Sequence, residues 1–296
     1  MAYINVFVSN QAKIYVKNSQ LCLEKAEKRA EFPLEDVNCV MIENLQTTIS
    51  THTLSALSQE GILCFICNQN HLPSGVILPF CEHYQTLSQY NYQASLSKPL
   101  QKQLWKKIIE NKIKNQDAVL GMMNKKDKLK ILYESVASGD ALNNEAKASL
   151  IYFKELFGTD FSRREENDIN SFLNYGYAII RGFVARSIVA HGLMPFLGIF
   201  HCNQFNQFNL ADDLMEIFRP MVDAYTVKNF SGQKLSSKEK AGILNLINYN
   251  VVVDGQKQAL SHAIEMFVQS YQKSIKEGKV CLKEVSIVNL EMHSYE

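Results

Sequence analysis

The chain has 296 residues, of which 46% are hydrophobic and 21% charged, and a formal net charge of +1. Those proportions exclude a disordered chain, and the length suits one large or two modest domains with buried cores. With 31 Lys and Arg against 30 Asp and Glu, no whole-molecule field draws in a polyanion, so a nucleic-acid partner has to be held by a local patch.

No apolar run approaches the ~20 residues that cross a bilayer. The opening MAYINVFVSN lacks the charged and apolar regions of a secretory signal, so a cytoplasmic protein with no membrane partner is expected. Seven cysteines, an odd and scattered set, argue against a disulfide framework.

In chain order, short β-branched and apolar runs predict strands at 3–9, 12–16, 20–24, 37–43 and 62–68. Cys64 and Cys67 form a C-x-x-C, but within ILCFIC they point to opposite faces of a buried strand, which reads as core packing rather than a zinc or redox pair. One helix interrupts the strands, capped by Ser50, turning Leu54 and Leu57 inward and ending at Gly61. The stretch 71–80, with two prolines and a glycine, reads as a loop. Residues 1–80 are therefore expected to form a β-rich domain and 81–97 a linker. From 98 to 296 the spacing turns helical, as in Leu104, Ile108, Ile109 and Ile113, or Ile179, Ile180, Phe183, Val184 and Ile188. Strands first and helices afterwards predict an α+β chain, with a β-rich N-terminal domain followed by a larger all-α C-terminal domain.

Between Lys98 and Lys130 ten lysines face only Glu110, Asp117 and Asp127. Such a stretch reads either as a solvated helix face or as a surface that contacts phosphates and releases counterions. Arg163, Arg164, Arg181, Arg186 and Arg219 could add to that surface, although Arg219 is equally placed to pair with Asp213 or Glu216.

Residues 192–223 hold the densest chemistry. His201 emerges from the apolar GLMPFLGIF, and Asp213 and Glu216 stand three apart on one helix face. Acids there also complement a helix N-terminus, and the intervening NQFNQFN reads as a metal's outer shell, a phosphate contact or a tight polar turn. Cys202 neighbours His201 but reads as packing. In NNEAKASLIYF, Asn143 or Asn144 can cap a helix with Glu145 in its first turn. Spacing alone cannot bring Glu145 to His201.

Several ordered blocks, EAKASLIYF, RREENDINSFLNYGYAIIRG, GLMPFLGIFH and NLADDLMEIFRPMVD, together with FPLEDVNCVMIE and CNQNHLPSGVILPF, resemble the CRISPR-associated adaptation integrase family over essentially the full chain. The Asp-to-Asn spacing at Asp168 and Asn170 is one residue shorter than the family's. HCNQFNQFNLADDLMEIFRP is most similar to members that accompany a single-protein effector, the type II systems. The resemblance implies a metal-dependent DNA endonuclease and integrase that inserts short foreign DNA as new spacers into a CRISPR array, through attack of a 3′-hydroxyl on a phosphodiester. It implies that the N-terminal domain mediates dimerisation, that Glu145, His201 and Glu216 bind metal, and that Asp213 is a nearby catalytic acid. Two carboxylates and an imidazole suit Mg²⁺ or Mn²⁺. The implied partners are short double-stranded DNA fragments, CRISPR repeat DNA, a second copy of the chain as a homodimer, a small nuclease-like subunit completing a heterohexamer, and the large type II effector nuclease. A competing reading is a non-catalytic DNA-binding scaffold in which the acids only cap helices, and a further one is an RNA-processing nuclease.

Overall fold

The computed structural model describes residues 2–26, 28–79, 84–125 and 127–295. Its helices, in chain order, are α1 (Thr51–Gln59), α2 (Thr86–Ala94), α3 (Lys98–Met122), α4 (Lys130–Glu134), α5 (Asn144–Phe157), α6 (Asp168–Ala190), α7 (Asn209–Met215), α8 (Arg219–Asn229), α9 (Ser237–Leu244) and α10 (Leu260–Glu277). The chain divides into two units, Met1–Glu82 with Ser236–Asn245 and His83–Leu235 with Leu246–Glu296. The architecture is the α+β arrangement expected, strand-rich first and helical afterwards.

In the first unit β1 (Ile4–Val8), β2 (Lys13–Lys17), β3 (Gln20–Lys25), β4 (Lys28–Pro33), β5 (Val37–Ile42), β6 (Thr48–Ile49), β7 (Leu63–Cys67) and β8 (Pro73–Ile77) form two four-stranded sheets, ordered β1-β5-β7-β8 and β4-β3-β2-β6. β5 runs parallel between β1 and β7. It is buried on both faces, which is why VNCVMI is nearly continuous in apolar residues instead of alternating. Val6, Val8, Ile14, Leu21, Val40, Leu57 and Ile62 share one core. Ser50 Oγ accepts the Thr53 amide at 3.2 Å and Gly61 takes φ +65°, so α1 starts and stops as its sequence predicts.

Cys64 and Cys67 are buried in β7, and burial pushes their thiols up to about 12 and about 11, so both are packing residues. Three strands of this unit escape the sequence pattern, the two-residue β6 among them. The residues of β4 are mostly exposed and charged, as an edge strand allows, and β8 lies inside the stretch 71–80 read as a loop, beginning at Pro73 where a missing N–H is tolerated.

α9 also joins this unit, although its sequence position falls in the helical half. Its Lys240 ammonium is buried against Glu43 Oε1 at 2.7 Å and the His71 carbonyl at 2.9 Å, while Ser237 Oγ donates to Glu43 Oε2 at 2.7 Å. A buried pair of this kind holds only because both charges are fully matched.

In the second unit the stretch read as a linker contains α2, with residues 81–83 outside the described ones. Ser97 Oγ caps the 25-residue α3 through the Leu100 amide at 3.4 Å. α3 packs against α4, α5 and α8, and α6 against α7, α8 and α10. Phe172, Phe183, Phe218 and Phe267 are fully buried, each stabilising by about 1.5–3 kcal/mol. Gly176 lets α6 approach α8: a Cβ there would lie 2.3 Å from Val222 Cγ1. A small three-stranded sheet, β9 (Asn250–Val253), β10 (Gln256–Ala259) and β11 (Val285–Ser286), ordered β10-β9-β11, adds strand to the otherwise helical unit. No described helix is long and apolar enough to cross a membrane.

Candidate active site

Glu145 stands in the first turn of α5, and the cap comes from an unexpected residue. Asp140 accepts the Asn144 amide at 2.8 Å and the Glu145 amide at 3.0 Å, so it does the capping assigned to Asn143 or Asn144. Asn143 takes φ +54° with no capping bond, and the Asn144 side chain instead donates to the Leu132 carbonyl at 2.9 Å. Asp140 thus fixes where the Glu145 side chain leaves the helix.

His201 and Asp213 form one assembly. The buried Asp213 carboxylate accepts backbone amides from Ile199 at 2.5 Å, Phe200 at 3.0 Å and His201 at 3.2 Å, and its Oδ1 meets His201 Nδ1 at 2.6 Å. That bond, above all, raises the His201 pKa, against partial desolvation, with Glu216 adding to the rise. Nδ1 is thereby committed, which leaves Nε2 as the ring nitrogen a ligand would meet. Asp213 spends its oxygens on this loop, so it positions His201 rather than offering itself as a ligand. Gly198 makes the arrangement possible, since a Cβ there would lie 2.2 Å from the His201 carbonyl oxygen and 2.9 Å from Asp213 Oδ2. Trp105 supports the loop from α3, stacked on Phe200 at 4.3 Å and edge-on to His201 at 6.0 Å.

The NQFNQFN segment resolves into polar turns. Asn203 and Asn206 side chains accept the Phe205 and Phe208 amides at 3.0 Å each, and Asn209 Nδ2 donates to the Phe196, Asn203 and Asn206 carbonyls. These asparagines shape the loop that presents His201.

Glu216 opens a 3-10 turn, Glu216–Phe218, between α7 and α8, and is buried. Although Asp213 is three residues away, the two acids serve different partners. Glu216 Oε1 pairs with Arg219 Nε at 2.8 Å, the ion pair its spacing suggested. Glu216 Oε2 lies 2.5 Å from Lys112 Nζ, and the same ammonium lies 2.5 Å from Glu145 Oε1. One cation therefore touches both carboxylates, whose facing oxygens are no more than 5.0 Å apart. Burial opposes ionisation of Glu216, but Lys112 and Arg219 outweigh it and hold its carboxyl below the usual range. Burial likewise works against the Lys112 ammonium, and Glu216 and Glu145 reverse the sign, raising its pKa.

The structure thus brings Glu145 to Glu216 through Lys112, and His201 to Asp213. Among the described residues no three His, Cys, Asp or Glu side chains are gathered tightly enough to hold an ion. The donors nevertheless fit a hard divalent cation. Glu145 Oε1 and Glu216 Oε2 already share one cation, the Lys112 ammonium 2.5 Å from each, and paired carboxylate oxygens are the donors that hard divalent cations prefer.

Lys112 is the site residue that sequence reasoning missed. Its signal was available: it falls in phase with the buried Leu104, Ile108 and Gln116 on the inner face of α3, where a lysine needs an acid. Behind the site the Arg219 guanidinium lies 4.7 Å from the Tyr177 ring centre, and the Tyr177 hydroxyl donates to Asp223 Oδ1. Burial raises the Asp223 carboxyl to about 6, against the pull of the Tyr177 and Tyr152 hydroxyls.

The lysine-rich stretch is mostly spent within the protein. Lys106 and Lys107 pair with Glu110, Lys114 with Glu284, and Lys125 and Lys128 with Glu155; Lys126 lies outside the described residues. Arg181 pairs with Asp212 at 2.8 Å and Arg186 with Glu265 at 3.6 Å. The solvated-face reading accounts for most of these charges.

Residues 6–245 match the family described as CRISPR associated protein Cas1. The chain is 34% identical to the CRISPR-associated endonuclease Cas1 of Neisseria meningitidis serogroup C (strain 8013), with all of both chains aligned. Among solved structures it is similar to a casposase bound to integration product, with a TM-score of 0.74, 18% identity, and coverage of 95% of this chain and 92% of that one. It is also similar to a Cas6-RT-Cas1–Cas2 complex, with a TM-score of 0.69, 18% identity, and coverage of 94% of this chain and 35% of that longer one. A family model matched over residues 6–245, and a relative 34% identical along the whole of both chains, lead to one conclusion: the chain belongs to the CRISPR associated protein Cas1 family.

Proposed function

We propose that this protein is a metal-dependent DNA endonuclease and integrase that inserts short DNA fragments into a CRISPR array as new spacers. The observation that carries the reading is the convergence of Glu145 and Glu216 on a single cation position, in a family whose relatives are CRISPR-associated endonucleases. Glu145, Glu216 and His201 Nε2 would hold Mg²⁺ or Mn²⁺. When bound, such an ion supplies charge neutralisation at the scissile phosphate and lowers the pKa of an attacking 3′-hydroxyl or water.

The protein's own residues do the rest. Asp213 keeps Nδ1 of His201 occupied and the ring oriented. Arg219 holds Glu216 ionised from the side away from Lys112. No further cofactor is needed, because the attack forms one phosphodiester as it breaks another.

The same reading includes a homodimer formed through the β-rich unit, and a small nuclease-like subunit that completes a heterohexamer. The likeness to a chain described in a Cas1–Cas2 complex supports the second of these, and the likeness to a casposase bound to integration product supports DNA as substrate. The large type II effector nuclease is a further proposed partner. That no three donor side chains are gathered among the described residues favours the competing scaffold reading, so the test must separate the two.

The decisive experiment is strand transfer into a supercoiled plasmid carrying the repeat, with Mg²⁺ or Mn²⁺ added or chelated, and with DNA and RNA fragments compared. Glu145→Ala, His201→Ala and Glu216→Ala are each expected to lower the rate by about a thousandfold or more, a loss of roughly 4 kcal/mol of transition-state stabilisation, with DNA binding largely kept. Full activity in any of them, or activity indifferent to chelation, would sink the assignment.

A further inference from the structure

Lys112 occupies the place between the carboxylates that the proposed reaction reserves for a metal. Its side chain is 8% exposed, and its Nζ stands 2.5 Å from both Glu145 Oε1 and Glu216 Oε2. The ammonium donates a hydrogen bond to Glu145 Oε1 and forms an ion pair with Glu216 Oε2. Withdrawal of the ammonium gives up the hydrogen bond to Glu145, and a divalent ion meeting the same two oxygens would replace it with stronger charge pairing. The stem of a lysine is a flexible four-carbon chain, so its head can leave while its Cα stays fixed in the packed α3.

The charge arithmetic favours a resident cation over an empty pair. Two ionised carboxylates this close, one of them buried, repel one another, and one would have to take up a proton unless a positive group lies between them. Arg219 engages only the far oxygen of Glu216 and does not reach Glu145 in the observed contacts. Lys112 is the positive group that stands between the two carboxylates, and an ion bonded to the same two oxygens would have to displace its ammonium.

We infer that the Lys112 ammonium is the built-in counter-cation of the Glu145–Glu216 pair and competes with a divalent metal for it, so that metal uptake is an exchange in which the lysine withdraws. This inference rests on the catalytic reading above and adds to it a residue that sets the metal concentration at which the enzyme loads. Lysine competition lowers the apparent metal affinity, while keeping a positive charge against both carboxylates.

The test is calorimetric titration of the full-length protein with Mn²⁺, alongside thermal unfolding with and without the ion. Lys112→Met is expected to bind Mn²⁺ about tenfold tighter than wild type or better, equivalent to about 1.4 kcal/mol. It is also expected to melt at a lower temperature without metal and to gain more on adding Mn²⁺. Lys112→Gln, neutral but still polar, serves as the second variant should Met at this position prevent folding, and is expected to change in the same direction. Affinity equal to or weaker than wild type in a folded variant overturns the inference alone. A wild type that takes up no Mn²⁺, or that binds it equally well as Glu216→Gln, overturns the catalytic reading and the inference with it.

Discussion

Two lysines lie buried among the described residues, and they are buried in different ways. In the strand-rich unit Lys240 meets one carboxylate, Glu43, and a backbone carbonyl, and the second oxygen of Glu43 is bound by Ser237. In the helical unit Lys112 meets two carboxylates at once, one of them on a side chain 29% exposed. The first arrangement is closed: charges match one to one and the oxygens are used, so it fastens α9 to its sheet. The second is a cation position with acid on two sides and an opening toward solvent. Buried charge by itself says little about function; the stoichiometry of the charges and their access to solvent distinguish a fastening from a site.

The sharpest way to break that comparison is to remove each lysine. Lys240→Met leaves Glu43 buried and uncompensated and is expected to cost about 3–5 kcal/mol in denaturant unfolding, with no recovery on adding Mn²⁺. Glu43→Leu combined with Lys240→Met should restore most of the loss, because both charges are then gone. If Mn²⁺ rescued Lys240→Met, or failed to stabilise Lys112→Met, the distinction would collapse.

A smaller effect concerns Asp223, another incompletely neutralised acid of the helical unit. Its carboxyl is raised from 3.8 to about 6, so the folded protein holds that proton more tightly than the unfolded chain does. The associated stability is fully present below about pH 4 and is lost as pH rises through about 6, a change on the order of 3 kcal/mol for a two-unit shift. Asp223→Asn should flatten this part of the profile, so that variant minus wild-type stability grows between pH 4 and 7. A constant difference across that range would show that burial is not what raises the group.

Much of the fold was legible in the sequence because it depends on local periodicity. β5 and β7 read as apolar runs, Ser50 and Gly61 bounded α1, and the order of strands before helices gave the α+β class. β4 was invisible because an exposed edge strand needs no apolar alternation, and β8 because Pro73 and Gly75 resemble loop residues. α9 was placed in the wrong unit because the force that moves it, the Lys240–Glu43 pair, joins residues 197 positions apart.

The same limit governed the site. His201, Asp213 and Glu216 stand out in the sequence by themselves, but only a family resemblance joins them to Glu145, since no spacing rule reaches from 145 to 216. The lysine excess between 98 and 130 reads in sequence as either a solvated face or a phosphate surface, because its partner acids, Glu145, Glu155, Glu216 and Glu284, lie far along the chain. Asp140 as the cap of α5 was missed for a subtler reason: Asn143 at φ +54° breaks the usual capping geometry, and the carboxylate reaches the helix from four and five residues upstream.

The central claim is that Glu145, Glu216 and His201 form one metal centre from which Lys112 withdraws. Anomalous diffraction at the manganese edge from crystals soaked in Mn²⁺ tests it most directly. The account expects a single peak bonded to both glutamates and to His201 Nε2, with Lys112 Nζ moved away from the pair. A manganese peak elsewhere, with Lys112 Nζ still bridging Glu145 and Glu216, would contradict it.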